Sequence, residues 1–129
     1  MIPAPPWSLV YADGAANLYR FEATGVEVRF GYEPVTPERS SSGRYSGGEP
    51  RLEVLAAGDP RLAALWTEVA ALEADRAHHA EARRKGDGAF TVTTAAGPRH
   101  FLVARAALHR FEALLHDGFG PEPTISTVN

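Results

Sequence analysis

Between residues 18 and 33 the chain carries two alternating runs joined by Thr24-Gly25, and this pattern constrains the fold more than any other feature. Tyr19, Phe21 and Ala23 alternate with Leu18, Arg20 and Glu22; Val26, Val28, Phe30 and Tyr32 alternate with Glu27, Arg29, Gly31 and Glu33. A period of two turns one set toward a core and the other toward water. The short Gly-containing connection makes the two runs a hairpin, and Pro34 and Pro37 stop its second strand. The pattern recurs over 89–94 and 99–104, where Phe90, Val92, Phe101 and Val103 flank Ala96-Gly97-Pro98. Trp7, Leu9 and Tyr11 predict a short edge strand before an Asp13-Gly14 turn, and Leu52, Val54 and Ala56 predict another strand over 51–57.

Two helices are expected against these strands. Asp59 is a good N-cap and Pro60 suits the first helical position. Leu62, Leu65, Trp66, Val69 and Leu72 then form one apolar stripe at helical spacing. The charged, Ala-rich run that follows extends this helix to Lys85: Glu81 and Lys85 pair at i,i+4, the basic end complements the macrodipole, and Gly86 supplies the stop. Such a helix spans ~39 Å, more than the domain needs, so its outer half is expected to lean outward or rest on a partner. A last helix is expected at about 105–116, with Ala104, Ala107, Leu108, Phe111 and Leu115 inside, Leu114 flanking and Gly118 as its end. The fold class is therefore α+β: an antiparallel sheet of four or five strands, built on two hairpins and packed on one face by two helices, one of them long. The other face, with Arg20, Glu22, Arg29 and Thr91, is expected to be solvated.

Length and composition fit one globular domain over 1–129, with a flexible N-terminal segment (1–6), a long Ser/Gly loop (34–50) and a loose tail (119–129) in which Ile125 and Val128 offer a further edge strand. The chain has no cysteine, which excludes disulfides and thiolate chemistry and fits a reducing cytoplasm. The N-terminus lacks the basic and apolar regions of a signal peptide. No apolar run approaches the ~20 residues of a membrane span. The net charge of −3 counts against a general phosphate-backbone binder.

Four features carry candidate chemistry. The loop from Ser40 to Gly48 combines hydroxyls, flexible backbone and the guanidinium of Arg44, and with Arg39 it could clamp a phosphate or carboxylate. It matches neither phosphate-loop motif nor the G-x-S-x-G elbow, so a serine nucleophile assisted by His100 is disfavoured. Its plain alternative is a mobile surface loop, but Tyr45 within it must pack on the body or on a ligand. Among the histidines, His78 and His79 diverge by about 100° on a helix, and His109, Glu112 and His116 form only a loose stripe, so no metal or cofactor is expected. The carboxylate pairs Asp75/Glu81 and Glu27/Glu33 have nothing to place them in a cleft. The run with Arg76, His79, Arg83, Arg84 and Lys85 suits a protein or nucleic-acid contact.

No coherent catalytic constellation emerges, and two surface features exceed what the fold requires. The reading that accounts for this is a non-catalytic binding or adaptor domain. It would engage a protein partner, or a second copy of itself, through the Ser/Gly loop and the outer half of the long helix. The contact residues are then Arg39, Ser41, Ser42, Arg44, Tyr45, Ser46, Arg76, Arg83 and Arg84. The alternatives are a small-anion-binding protein or enzyme using Arg39 and Arg44, and a nucleic-acid binder through residues 76–85.

Overall fold

The structure, a computed structural model, describes residues 2–119. Strands β1 (Trp7–Ala12), β2 (Leu18–Ala23), β3 (Glu27–Glu33), β4 (Arg51–Ala56), β5 (His79–Ala80), β6 (Gly88–Thr94) and β7 (Gly97–Val103) form one antiparallel sheet in the order β4-β3-β2-β1-β6-β7-β5. Helices α1 (Pro60–Ala74) and α2 (His109–Phe119) cover one face. The α+β class agrees with the sequence pattern, but the sheet has seven strands, not four or five. The segment expected at an edge, β1, is central: Trp7, Leu9 and Tyr11 are buried, and both backbone edges are used, one by β2 and one by β6. The two hairpins thus become one continuous sheet.

The expected extension of the first helix to Lys85 is also wrong. α1 ends at Ala74, and a 3-10 turn over Arg76–His78 leads into β5, which pairs with β7. Intrinsic helix preference is a weak force, readily overridden by tertiary contacts. Here the His79 ring nitrogen Nε2 lies 2.9 Å from the carbonyl oxygen of Leu72, satisfying a helix-end acceptor, and the ring stacks on Phe101 with centroids 5.3 Å apart. The chain has no outer half-helix to offer. At its start, α1 follows the sequence: Asp59 accepts a hydrogen bond from the Arg61 amide, Pro60 occupies the first turn, and Leu62, Leu65, Trp66, Val69 and Leu72 are the buried face. Burying each large apolar side chain contributes about 2 kcal/mol. α2 begins four residues later than expected, after a 3-10 turn over Arg105–Ala107, and runs through Gly118 to Phe119. Phe119, assigned by sequence to the tail, is buried against Phe21 and Phe30. Ile125 and Val128 lie outside the described residues.

The strand expected over 51–57 is present as β4. Its apolar set, Leu52, Val54 and Ala56, is exposed on the outer face, while Arg51, Glu53 and Leu55 face the helices. Arg61 of α1 explains the inversion: its guanidinium bonds Glu53 at 2.8 Å and Asp59 at 2.9 Å, so the inward carboxylate is neutralised. Arg61 also donates to the Gly118 carbonyl and lies over the Phe119 ring, tying β4, α1 and the end of α2 together.

Register sorts the connections into two ends. Pairing of Ala12 with Leu18 and Ala89, Tyr32 with Arg51, and Gly88 with Val103 puts the 13–17 turn, the 34–50 loop, the 81–87 segment and the 104–108 turn at one end of the sheet. The short turns at 24–26, 57–59 and 95–96 lie at the opposite end.

Candidate functional site

The end that carries the longer connections is organised by the turn from Asp13 to Asn17. The Asp13 carboxylate accepts from the amides of Ala15 and Asn17, each at 2.9 Å, and Ala16 adopts a left-handed φ of 73°. Short polar side chains that bond their own backbone favour such turns. Asn17 is only 3% exposed, and its amide group is used fully. Its Oδ1 accepts from the Val35 amide at 2.8 Å; its Nδ2 donates to Asp13 Oδ2 at 2.9 Å and to the Tyr45 hydroxyl at 3.2 Å.

These bonds fasten the Ser/Gly loop. Gly47 donates its amide to the Val35 carbonyl and accepts from the Tyr32 hydroxyl at 2.6 Å. A Cβ on Gly47 would lie 2.0 Å from Asn17 Oδ1, so only glycine admits this approach. Tyr45, expected to rest on the body or on a ligand, is tied to the body by the Asn17 hydrogen bond to its hydroxyl and remains 43% exposed. Between these anchors, Ser40 Oγ donates to the Pro37 carbonyl and accepts from the Tyr45 amide, while Ser42 and Ser46 accept from the amides of Arg44 and Gly48. These three hydroxyls therefore shape the loop's own backbone. Ser41 is exposed, as are Arg39 and Arg44, and neither guanidinium has an ion-pair partner among the described residues. His100 does not approach these serines. It sits on β7, its Nδ1 2.7 Å from Thr91 Oγ1.

The basic segment reaches the same turn from the other side. The Arg83 guanidinium donates to the Asp13 carbonyl. Gly14 packs on Gly86 so closely that a Cβ would lie 2.7 Å from the Gly86 Cα. Gly86 has a left-handed φ of 89° beneath the Arg105 side chain. Buried Asp87 accepts from the amides of Arg84 and Arg105, at 3.0 and 3.3 Å. The Arg84 amide, with the Arg84 charge nearby, holds the Asp87 carboxyl below the usual carboxylate range. Of the residues singled out from sequence, Tyr45 and Arg83 contact this turn; Arg84 is bound to Asp87, Arg39 and Arg44 are exposed in the loop that Tyr45 fastens, and Arg76 lies in the turn after α1. Glu38, Glu49 and Glu81 are interspersed, so the charge is mixed.

Beneath this surface lie the three remaining tyrosines of a chain that has four. Tyr11, Tyr19 and Tyr32 stand in register across β1, β2 and β3, with ring centroids 6.1 and 4.8 Å apart. The Tyr11 hydroxyl donates to Glu112 of α2 at 2.5 Å. Burial, reinforced by Glu112, raises the Tyr11 phenol far above its ordinary range; burial, reinforced by Tyr32, does the same for Tyr19. Tyr32 is pushed up to about 12, chiefly by burial. Tyr11 and Tyr32 serve as hydrogen-bond donors. Because Glu112 turns inward, the expected stripe with His109 and His116 does not form. No group of three or more potential ligands that could hold a metal occurs among the described residues.

Asn17 and the tyrosine row were not singled out from sequence, and Asp13 was read only as part of a turn. Their signal was present: each tyrosine on β1, β2 and β3 is the last or first inward residue beside a connection, and Asp13 and Asn17 bracket the β1–β2 turn. No model of a protein family matches the chain, and no curated protein is similar to it in sequence. No helix among the described residues is long and apolar enough to cross a membrane.

Proposed function

We propose that the chain is a protein-binding module whose recognition surface is the Asn17-organised end of the sheet, comprising the 36–46 loop, the 13–17 turn and the 81–87 segment. The observation that carries this reading is the convergence of two exposed Arg-bearing segments on one turn with a buried polar anchor. Protein interfaces favour arginine and tyrosine, which combine large contact area with fixed hydrogen-bond geometry. Arg39 and Arg44 are exposed on the loop that carries Tyr45, and no carboxylate among the described residues pairs with them, so a partner carboxylate is the natural complement. The interspersed glutamates disfavour a nucleic-acid backbone, which needs a continuous cationic track. The serines support binding and not nucleophilic chemistry, because Ser40, Ser42 and Ser46 are engaged with the loop backbone. The non-catalytic reading rests on this use of the hydroxyls.

Affinity capture from cells that make the chain tests the proposal. The native chain is compared with an Arg39→Glu/Arg44→Glu variant and with a variant altered at the opposite end, Ala95→Glu. The expected result is a partner retained by the native and Ala95→Glu chains and lost from the double variant. A partner retained equally by all three would overturn the assignment.

A further inference from the structure

The outer edge of β4 is a feature that the loop-end reading leaves unused. Leu52 is 88% exposed and Val54 62%, the apolar side chains of an edge strand turned to solvent. Among the described residues the strand pairs with β3 alone, and the Ala57 amide bonds the Val26 carbonyl. That bond fixes the parity of the ladder: odd residues of β4 direct their backbone groups to β3, and Leu52, Val54 and Ala56 direct theirs outward. Natural edge strands are normally blunted by outward charges, proline or a covering element. Among the described residues β4 has none of these at its outward positions, and its two charges point to the helix side.

We infer that this edge pairs with the β4 edge of a second copy of the chain, antiparallel about a two-fold axis at Val54. The choice of occupant and register follows from complementarity. An axis at Leu52 opposes Val54 with Pro50, which has no amide hydrogen. An axis at Glu53 opposes two carboxylates and again uses Pro50. An axis at Leu55 pushes Leu52 opposite Gly58, beyond the strand. With the axis at Val54, Val54 faces its own copy and Leu52 faces Ala56 in both directions, while Glu53 faces Leu55 and no like charges meet. All three outward residues then form hydrogen-bonded pairs. The Ala56 carbonyl, which also accepts from the Asp59 amide, is the one shared acceptor. On the outer face, Leu52, Val54 and Ala56 of both copies make one apolar strip. Closed two-fold pairing also ends growth, which an open edge does not.

The test uses the absence of cysteine from the chain. In a hydrogen-bonded antiparallel pair, opposed Cα atoms are about 5.5 Å apart, within the range that a disulfide bridges. Val54→Cys should therefore oxidise to a covalent dimer. Leu52→Cys should not, because the two copies of residue 52 lie four positions apart along the ladder, about 14 Å. Analytical ultracentrifugation of the native chain over ~1–200 μM should show a monomer–dimer equilibrium, as suits a small interface. Val54→Lys should make it monomeric with an unchanged circular dichroism spectrum, since residue 54 gives no backbone bond to β3. A native chain that stays monomeric throughout, a dimer unaffected by Val54→Lys, or equal cross-linking at positions 52 and 54 would each overturn the inference.

Discussion

Replacing Asn17 by alanine should destabilise the protein by about 3 kcal/mol. The side chain is buried and makes three hydrogen bonds, so the loss divides into identifiable parts. The Val35 amide is itself buried and has Asn17 Oδ1 as its acceptor at 2.8 Å. Stranding a buried donor costs about 1–3 kcal/mol. Asp13 loses a donor to its carboxylate and Tyr45 loses its tie to the body, at about 0.5–1.5 kcal/mol each. Water entering the space left by the amide offsets part of this, which places the total near 3 kcal/mol. For a chain of this length each kcal/mol lowers Tm by roughly 4 °C, so a fall of about 12 °C is expected. Urea unfolding monitored by circular dichroism measures the free energy, and amide hydrogen exchange reports the site. Exchange should accelerate at Val35 and Gly47, while the amides of β6 change only with global stability. A loss below about 0.5 kcal/mol, or unchanged exchange at Val35, would refute the reasoning that Asn17 fastens the loop.

Further outcomes follow from the same contacts. Gly47→Ala should cost about 2–3 kcal/mol, because the new Cβ meets a pinned Asn17 side chain and the Tyr32 hydroxyl; Gly43→Ala, with φ of 73° but open space, should cost about 1 kcal/mol, and denaturant titration of the two compares packing with backbone strain. Raising pH should unfold the protein above about 10: the folded pKa values of Tyr11, Tyr19 and Tyr32 exceed the unfolded value, so their contribution is intact below it and is lost as pH rises. Phenolate absorbance at these three sites should then appear together with loss of the native circular dichroism signal. Arg61→Ala should lower stability at neutral pH by about 1–2 kcal/mol, discounted for the partial exposure of the side chain. The Arg61 guanidinium holds the Asp59 carboxyl low, so Asp59 contributes stability that is present above its unfolded pKa and is lost as pH falls; a melt series from pH 7 to 3 should therefore show a shallower acid limb in the variant.

The fold was legible where burial followed a single strong period. The stripe from Leu62 to Leu72 and the alternation in β2, β3, β6 and β7 correspond directly to buried faces, except at Val26, which precedes β3 and is 85% exposed. It was less legible where a tertiary partner decided. β1 looks like an edge strand in isolation, since nothing in its six residues says that both neighbours will use it. β4 alternates as expected, but its apolar set faces outward, because Arg61, eight residues beyond Glu53, neutralises the inward charge. The run after Ala74 has good helix formers, yet His79 finds both the Leu72 carbonyl and the Phe101 ring. Of the candidate site, the Arg- and Ser-bearing segments stood out by composition. Their meeting at Asn17 is a long-range fact: the Asn17–Tyr45 and Asp13–Arg83 contacts join residues 28 and 70 positions apart.

The account stands most directly on the loop end being where a partner binds. A photo-reactive phenylalanine analogue placed at Ser41, at Lys85 and, at the far end of the sheet, at Ala95 tests this in cells that make the chain. The account predicts one shared adduct from Ser41 and Lys85, absent from Ala95 and lost when Arg39→Glu and Arg44→Glu are combined with the probe at Lys85. No adduct from Ser41 and Lys85, or the same adduct from Ala95, would contradict it.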